Sequence, residues 1–308
     1  NAAAWLDNDR VATAGFDKSI RVWDASSTKQ LHVIDGHAGS IFTLAVSPDG
    51  KWLASAGEKG LIKLWNLQTL ESAGELAGHR GSVYHLDFSP DGSLLASCGE
   101  DDMRIFVWNV AEARSVKQLT AEDPDDKNRR RSMHCVEFPD GKQLVSTGED
   151  RTVRLWDLDE GKEIRRFEGA EYSIFTESGK KIERTTKKAG PELALYTVAF
   201  GADGKRIAAG GLDKTIRVWE TSSGKLLQTF TGHEGFVYDI FFKDSADTLV
   251  SCGHTGHVSI WNLQSKKARP AARSPTLVYC SACSPDGKKI VLVSRDCSYV
   301  IGLSEERQ

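Results

Sequence analysis

A tryptophan recurs along this chain at Trp23, Trp65, Trp108, Trp156, Trp219 and Trp261, each followed by Asp, Asn or Glu. The steps between them are 42, 43, 48, 63 and 42 residues. A period of roughly 40–45 residues marks one supersecondary unit copied many times around a ring of sheets. No catalytic motif accounts for such spacing.

Upstream of each tryptophan the same landmarks return. One copy reads Gly36-His37, Ser47-Pro48-Asp49-Gly50, Leu53-Ala54-Ser55 and Leu61-Ile62-Lys63-Leu64-Trp65-Asn66; the next reads Gly78-His79, Ser89-Pro90-Asp91-Gly92, Leu95-Ala96-Ser97 and Ile105-Phe106-Val107-Trp108-Asn109. The apolar runs are short, rich in Val, Ile, Leu and aromatic residues, and closed by Gly, Pro or Asp, the pattern of strands joined by tight turns. Four strands per copy follow.

These landmarks resemble those of the WD-repeat (WD40) family, whose copies open on Gly-His and close on Trp-Asp, and the resemblance runs over essentially the whole chain. It implies an all-β fold, a seven-bladed β-propeller with four antiparallel strands per blade around a central channel. The expected blades span about 1–35, 36–77, 78–120, 132–169, 193–231, 232–272 and 275–308, with insertions at 120–131 and 170–192. First strands are expected near residue 1, Ile41, Val83, Met133, Leu195, Val237 and Leu277. The seventh blade is degenerate, with Gly302 in the tryptophan's place, and lacks its fourth strand in this chain. An open sheet edge invites pairing, so a segment preceding Asn1 is expected to supply the closing strand.

Composition narrows the function. Lys and Arg number 40 against 43 Asp and Glu, a net charge of −3, which gives no global attraction to nucleic acid or anionic membrane. No stretch reaches the roughly 20 apolar residues of a membrane helix, so a soluble fold is expected. The six cysteines do not read as a disulfide framework, because Cys98 and Cys252 fall at one repeat position in two second strands. That favours a reducing, cytoplasmic compartment.

Three groupings imitate chemistry. His79, Ser97 and Asp102 with Trp108 look like a nucleophilic set, but the resemblance assigns them to a structural network within one blade, with Ser146, Asp150 and Trp156 its counterparts in blade four. Cys252, His254 and His257 have metal-like spacing but no fixed fourth ligand. Cys280 and Cys283 lie three apart on a first strand, on opposite faces and roughly 10 Å apart. The expected molecule is not an enzyme, with no catalytic residue, metal or cofactor.

The strongest functional signal is positional. Four residues before the end of each first strand stand Phe42, Tyr84, His134, Tyr196, Tyr238 and Tyr279. Repeated tyrosine is costly as core, since every hydroxyl needs a partner; amphipathic rings gathered on a rim are what interfaces use as anchors. In the family this position lies at the channel mouth, where partner peptides dock. Phe236, Leu212, Leu277 and Arg295 extend the surface, with Phe16, Glu58, Glu149 and His254 facing the same way, and the opposing reading is a repeat-wide packing preference. Both insertions are expected to rise from this face, the second carrying an extra hairpin. Arg129, Arg130 and Arg131 with Lys180, Lys181, Arg184, Lys187 and Lys188 form basic loops suited to an acidic or phosphorylated segment, or, read alone, solvated charge. The leading function is a scaffold binding a peptide or loop of a partner protein; nucleic-acid or phosphopeptide binding through the basic loops, or a sensor propeller within a larger and possibly enzymatic protein, are the alternatives.

Overall fold

The computed structural model describes residues 2–100, 103–121, 132–168, 173–175, 181–183, 194–243, 247–294 and 297–303. They build six four-stranded antiparallel sheets, one three-stranded sheet and a separate two-stranded pair, Ser173–Phe175 with Lys181–Glu183, and no helix. Each large sheet is a blade whose first strand lies innermost. The inner strands are Ala2–Trp5, Ile41–Val46, Val83–Phe88, Met133–Glu137, Leu195–Phe200, Val237–Phe242 and Val278–Cys283. Each touches the next and the seventh touches the first, which closes a seven-bladed ring.

The repeated landmarks now have physical roles. In the Ser-Pro-Asp-Gly turn the Ser47 hydroxyl donates to Asp49 (2.7 Å), and Gly50 adopts φ +68°, a left-handed conformation that glycine takes at least cost. The acidic or amide residue after each tryptophan starts the next turn: Asp24, Asn66, Asn109, Asp157 and Asn262 each accept backbone N–H groups two or three residues on. The tryptophan itself packs between blades. Its indole N–H donates to a second-strand hydroxyl, Trp65 to Ser55 at 2.7 Å and Trp108, Trp156 and Trp261 to Ser97, Ser146 and Ser251 at 2.8 Å.

Seven apolar clusters hold the blades together, one at each junction. The junction of blades one and two buries thirteen residues, but that of blades seven and one only five: Ala3, Trp5, Val11, Val291 and Val293. The outer side of Ser298–Gly302, the last strand of blade seven, has no partner strand among the described residues. Beside it runs a groove of about 590 Å³, walled by Thr13, Trp23, Val293, Ser298 and Val300 among others. Trp5 pins the seam by donating its indole N–H to the Ala282 carbonyl at 2.8 Å.

Candidate functional site

Blades two to seven carry the same β-bulge, and the ring residue is the bulged one. In blade two Ile41 faces Gly57 while Thr43 faces Ala56, which leaves Phe42 unopposed; Tyr84, His134, Tyr196, Tyr238 and Tyr279 are skipped in the same way. A bulge re-aims a side chain that regular alternation would send elsewhere. It is closed by the residue after the opposing glycine, whose N–H bonds back across it: Glu58, Glu100, Glu149, Leu212 and His254 donate to the carbonyls of Ser40, Ser82, Ser132, Ala194 and Phe236 at 2.8–3.1 Å.

The six re-aimed rings form a continuous chain around the channel mouth. Successive centroids lie 6.2 Å apart for Phe42 and Tyr84, 5.8 Å for Tyr84 and His134, 4.9 Å for His134 and Tyr196, 5.2 Å for Tyr196 and Tyr238, and 5.8 Å for Tyr238 and Tyr279. All are partly open to solvent and Tyr279 is 38% exposed. The corresponding position of blade one, Asn1, lies outside the described residues.

The surroundings of the ring are lopsided. On blades two to four the neighbouring hairpins present Glu58, Glu100 and Glu149, whose carboxylates accept the backbone N–H groups of Ser40, Ser82 and Ser132. Partial burial, then the charges of Glu100 and Glu149, push the Tyr84 hydroxyl pKa upward. On blades five to seven the rim turns apolar. Phe236 packs on Tyr238 and on His254, centroids 6.5 and 5.2 Å away, and exposed Leu277 precedes Tyr279; Leu212 is half-buried on its hairpin at the same end. Exposed Phe16 sits farther round, over the groove of the closing seam.

A cavity of about 580 Å³ runs from the rings into the channel, lined in part by polar groups that no repeat pattern marks. Inner strands alternate, so the channel receives His85 and Asp87, Cys135, Thr197, Asp239 and Cys280, with Glu137 at the repeat position of Asp87 in the next blade. Several of these latch one blade to the next. Asp87 accepts the Phe138 N–H (2.6 Å), Glu137 the Phe200 N–H (2.9 Å), Thr197 the Ile240 N–H (3.1 Å), and Asp239 both the N–H and the hydroxyl of Ser281 (3.0 and 2.7 Å).

Burial pushes Asp87 up to about 6, opposed by the Phe138 N–H and His85; burial and then the neighbouring Asp87 charge push Glu137 well up, and burial raises Asp239 against its bonds to Ser281. Raised carboxylates hold protons that the unfolded chain releases, so their contribution to stability is present below their unfolded values and lost as pH climbs through the folded ones. His37 and His134, lowered to about 4 mainly by burial, work in the opposite sense, adding stability as pH rises through the same interval. Asp87→Asn isolates one carboxylate. The variant is expected to gain about 1–2 kcal/mol on its parent at pH 7.5 and little at pH 4.5, in denaturant titrations at both values. An equal effect at both would refute the assignment.

The groupings that imitate chemistry resolve into structure. Ser97, fully buried, accepts the Trp108 indole N–H and lies 2.7 Å from His79 Nε2, and His37, Ser55 and Trp65 repeat the arrangement in blade two. A sealed hydroxyl with both neighbours engaged stiffens a blade and reaches no substrate. Asp102 lies outside the described residues. In blade four the expected network divides: Trp156 bonds Ser146, but Asp150 pairs with Arg154 of the third strand. Cys252 is fully buried, His254 packs tilted against Phe236 at the rim, and His257 faces Thr255 and Glu234. Cys280 belongs to the junction of blades seven and one, and Cys283 to that of blades six and seven.

Arg129, Arg130, Arg131, Lys180, Arg184, Lys187, Lys188 and Arg295 also lie outside the described residues, and of Lys181 only the backbone of its short strand is described. The roots of both insertions, Ala121 with Met133 and Phe167 with Leu195, stand at the aromatic end of their blades.

The WD40 family model (WD domain, G-beta repeat) matches residues 1–24, 28–66, 70–109, 132–157, 183–220 and 224–262. Among curated proteins the chain is 29% identical over 127 residues to a U3 snoRNP-associated protein-like protein of Arabidopsis thaliana, a stretch covering 41% of this chain and 26% of the relative. It is 28% identical over 199 residues, 58% of this chain and 50% of the relative, to a p21-activated protein kinase-interacting protein 1-like protein of Danio rerio. The nuclear distribution protein nudF of Aspergillus niger is 27% identical over 164 residues, 53% of this chain and 35% of the relative. These alignments thus span from about a quarter to half of each relative's length.

Proposed function

Because the chain belongs to the WD40 family, whose propellers generally act as protein-interaction scaffolds, we propose that it is a non-catalytic scaffold holding a peptide or loop of a partner across the channel mouth. The observation that carries this reading is the unbroken run of rings from Phe42 to Tyr279, contributed by six blades. Rings fixed on a rigid closed ring of strands lose little conformational entropy on docking. Their partial exposure leaves apolar area to be covered, and the hydroxyls of Tyr84, Tyr196, Tyr238 and Tyr279 supply polar contacts at the same site. Phe236, Leu212 and Leu277 extend the apolar side toward blades five to seven.

The test is a double substitution, Tyr84→Ala with Tyr238→Ala, followed by quantitative affinity purification beside the parent. Each residue is half-exposed and sits on a bulge, so the melting temperature is expected to move by only a few degrees. Loss of most co-purifying partner is expected, on the order of ten-fold or more, as for aromatic anchors at an interface centre. Undiminished recovery with an unchanged melt would refute the reading.

A further inference from the structure

We propose that the channel mouth is built to receive the cationic side chain of a lysine or arginine carried by the docked partner segment, a reading that rests on the peptide-binding face above and specifies its ligand. Three independent features of the site point the same way.

The first is the wall. Six aromatic side chains from blades two to seven, with centroid spacings of 4.9–6.2 Å, border an opening into a cavity of about 580 Å³. Aromatic faces carry partial negative charge and attract an ammonium or guanidinium within about 6 Å of the ring centre. The alkyl stem of either side chain would pass between the rings while its head continues inward.

The second is the sign of charge. Glu58, Glu100 and Glu149 stand beside the ring on three consecutive blades, and Asp87 and Asp239 line the channel cavity. Among the described residues that line the cavity no lysine or arginine faces Asp87 and Asp239, while on the rim Glu58 has Lys59 Nζ at 3.9 Å. Low-dielectric walls focus such a field along the channel axis and favour an incoming cation over a neutral or anionic group.

The third is residual hydrogen-bonding capacity. His85 lines the cavity, and its enclosed Nδ1 has no hydrogen-bond partner. Each latch carboxylate is bonded to the neighbouring blade through one of its oxygens: Asp87 and Asp239 through Oδ2, Glu137 through Oε2. A carboxylate accepts several bonds, so capacity for a donor remains. An ammonium or guanidinium head offers only donors and matches a site rich in acceptors.

The experiment uses the 308-residue protein and immobilised peptide libraries that differ at one fixed central position: arginine, lysine, citrulline, norleucine or glutamate, flanked by randomised small and apolar residues. Bound protein is quantified for each. At least ten-fold more is expected on the arginine or lysine library than on the citrulline and norleucine libraries, with least on glutamate, and the two basic arms separate guanidinium from ammonium recognition. Asp239→Asn, which keeps an acceptor for Ser281, is expected to erode the preference, with Asp87→Asn as a second variant should the first fail to fold. Equal binding to the arginine, lysine, citrulline and norleucine libraries, abolished by Tyr84→Ala with Tyr238→Ala, would overturn the cation proposal while leaving the peptide-binding face standing. Binding to no library at all would overturn it as well, and the affinity purification then decides on the face by itself.

Discussion

Gly99→Ala is expected to leave little folded protein. A β-carbon built at Gly99 meets the Ser82 carbonyl oxygen at 1.9 Å, and the Val83 Cα at 2.9 Å. Both are backbone atoms of the strand across the bulge, so no side-chain rotation relieves the contact. The same carbonyl accepts the Glu100 N–H at 2.8 Å, the bond that closes the bulge and aims Tyr84 at the channel mouth. Moving the strands apart breaks that bond; keeping it means a steric overlap far inside van der Waals contact. A loss above about 4 kcal/mol is expected, within the rare class of substitutions that strain a special backbone site, and it is a large fraction of the ~5–15 kcal/mol by which domains are stable. Gly141→Ala is the control: nothing lies within 4 Å of its built β-carbon, and its effect should stay within about 0.5 kcal/mol. Soluble yield and melting temperature of the two variants compare them directly. A Gly99→Ala protein that melts with its parent would show that the bulge is not what forces glycine here.

Arg154→Met is expected to cost about 3–5 kcal/mol, the range found when one member of a buried ion pair is removed. The Arg154 side chain is 1% exposed and Asp150 4% exposed, so the pair lies within blade four rather than on its surface. Arg154 donates from Nε and Nη2 to Asp150 and from Nη1 to Glu163, which Arg166 also holds at 2.9 Å. Methionine preserves much of the stem's volume but strands the Asp150 charge. Adding Asp150→Asn removes that charge and keeps an acceptor for the Thr152 N–H and hydroxyl, now 3.1 and 2.9 Å from Asp150. The double variant should therefore be more stable than Arg154→Met alone, a coupling that equilibrium unfolding of the four proteins of the cycle measures. Additive losses would mean that the two side chains contribute independently.

The rim was legible in the sequence because repetition superimposes many readings of one position. A single Tyr84 says little; Phe42, Tyr84, His134, Tyr196, Tyr238 and Tyr279 at one offset from a recurring turn indicate a shared environment. The bulge that directs them was equally present as the glycine ending five second strands, Gly57, Gly99, Gly148, Gly211 and Gly253, but a terminal glycine reads first as a turn. The channel carboxylates escaped notice for a different reason. Asp87, Glu137 and Asp239 occupy no repeated pattern: Asp87 and Glu137 align with alanine in blades two, five and seven, and Asp239 with threonine in blades two and five. Each looks like a solvated charge until the ring closes over it. Arg154 was passed over likewise, since an arginine beside an aspartate on a strand ordinarily marks an exposed face.

Strand number, blade count and turn chemistry follow from the sequence by itself, because they depend on hydrophobic period and on backbone preferences at Gly, Pro, Asp and Asn within a few residues. Tertiary structure decided which side chains meet across blades. Rings some 40 to 60 positions apart in the chain come within stacking distance, and carboxylates of one blade accept amides of the next, because the seven sheets turn about a common axis. Proximity there is set by the curvature of the closed ring, a property of all the repeats together that no local stretch contains.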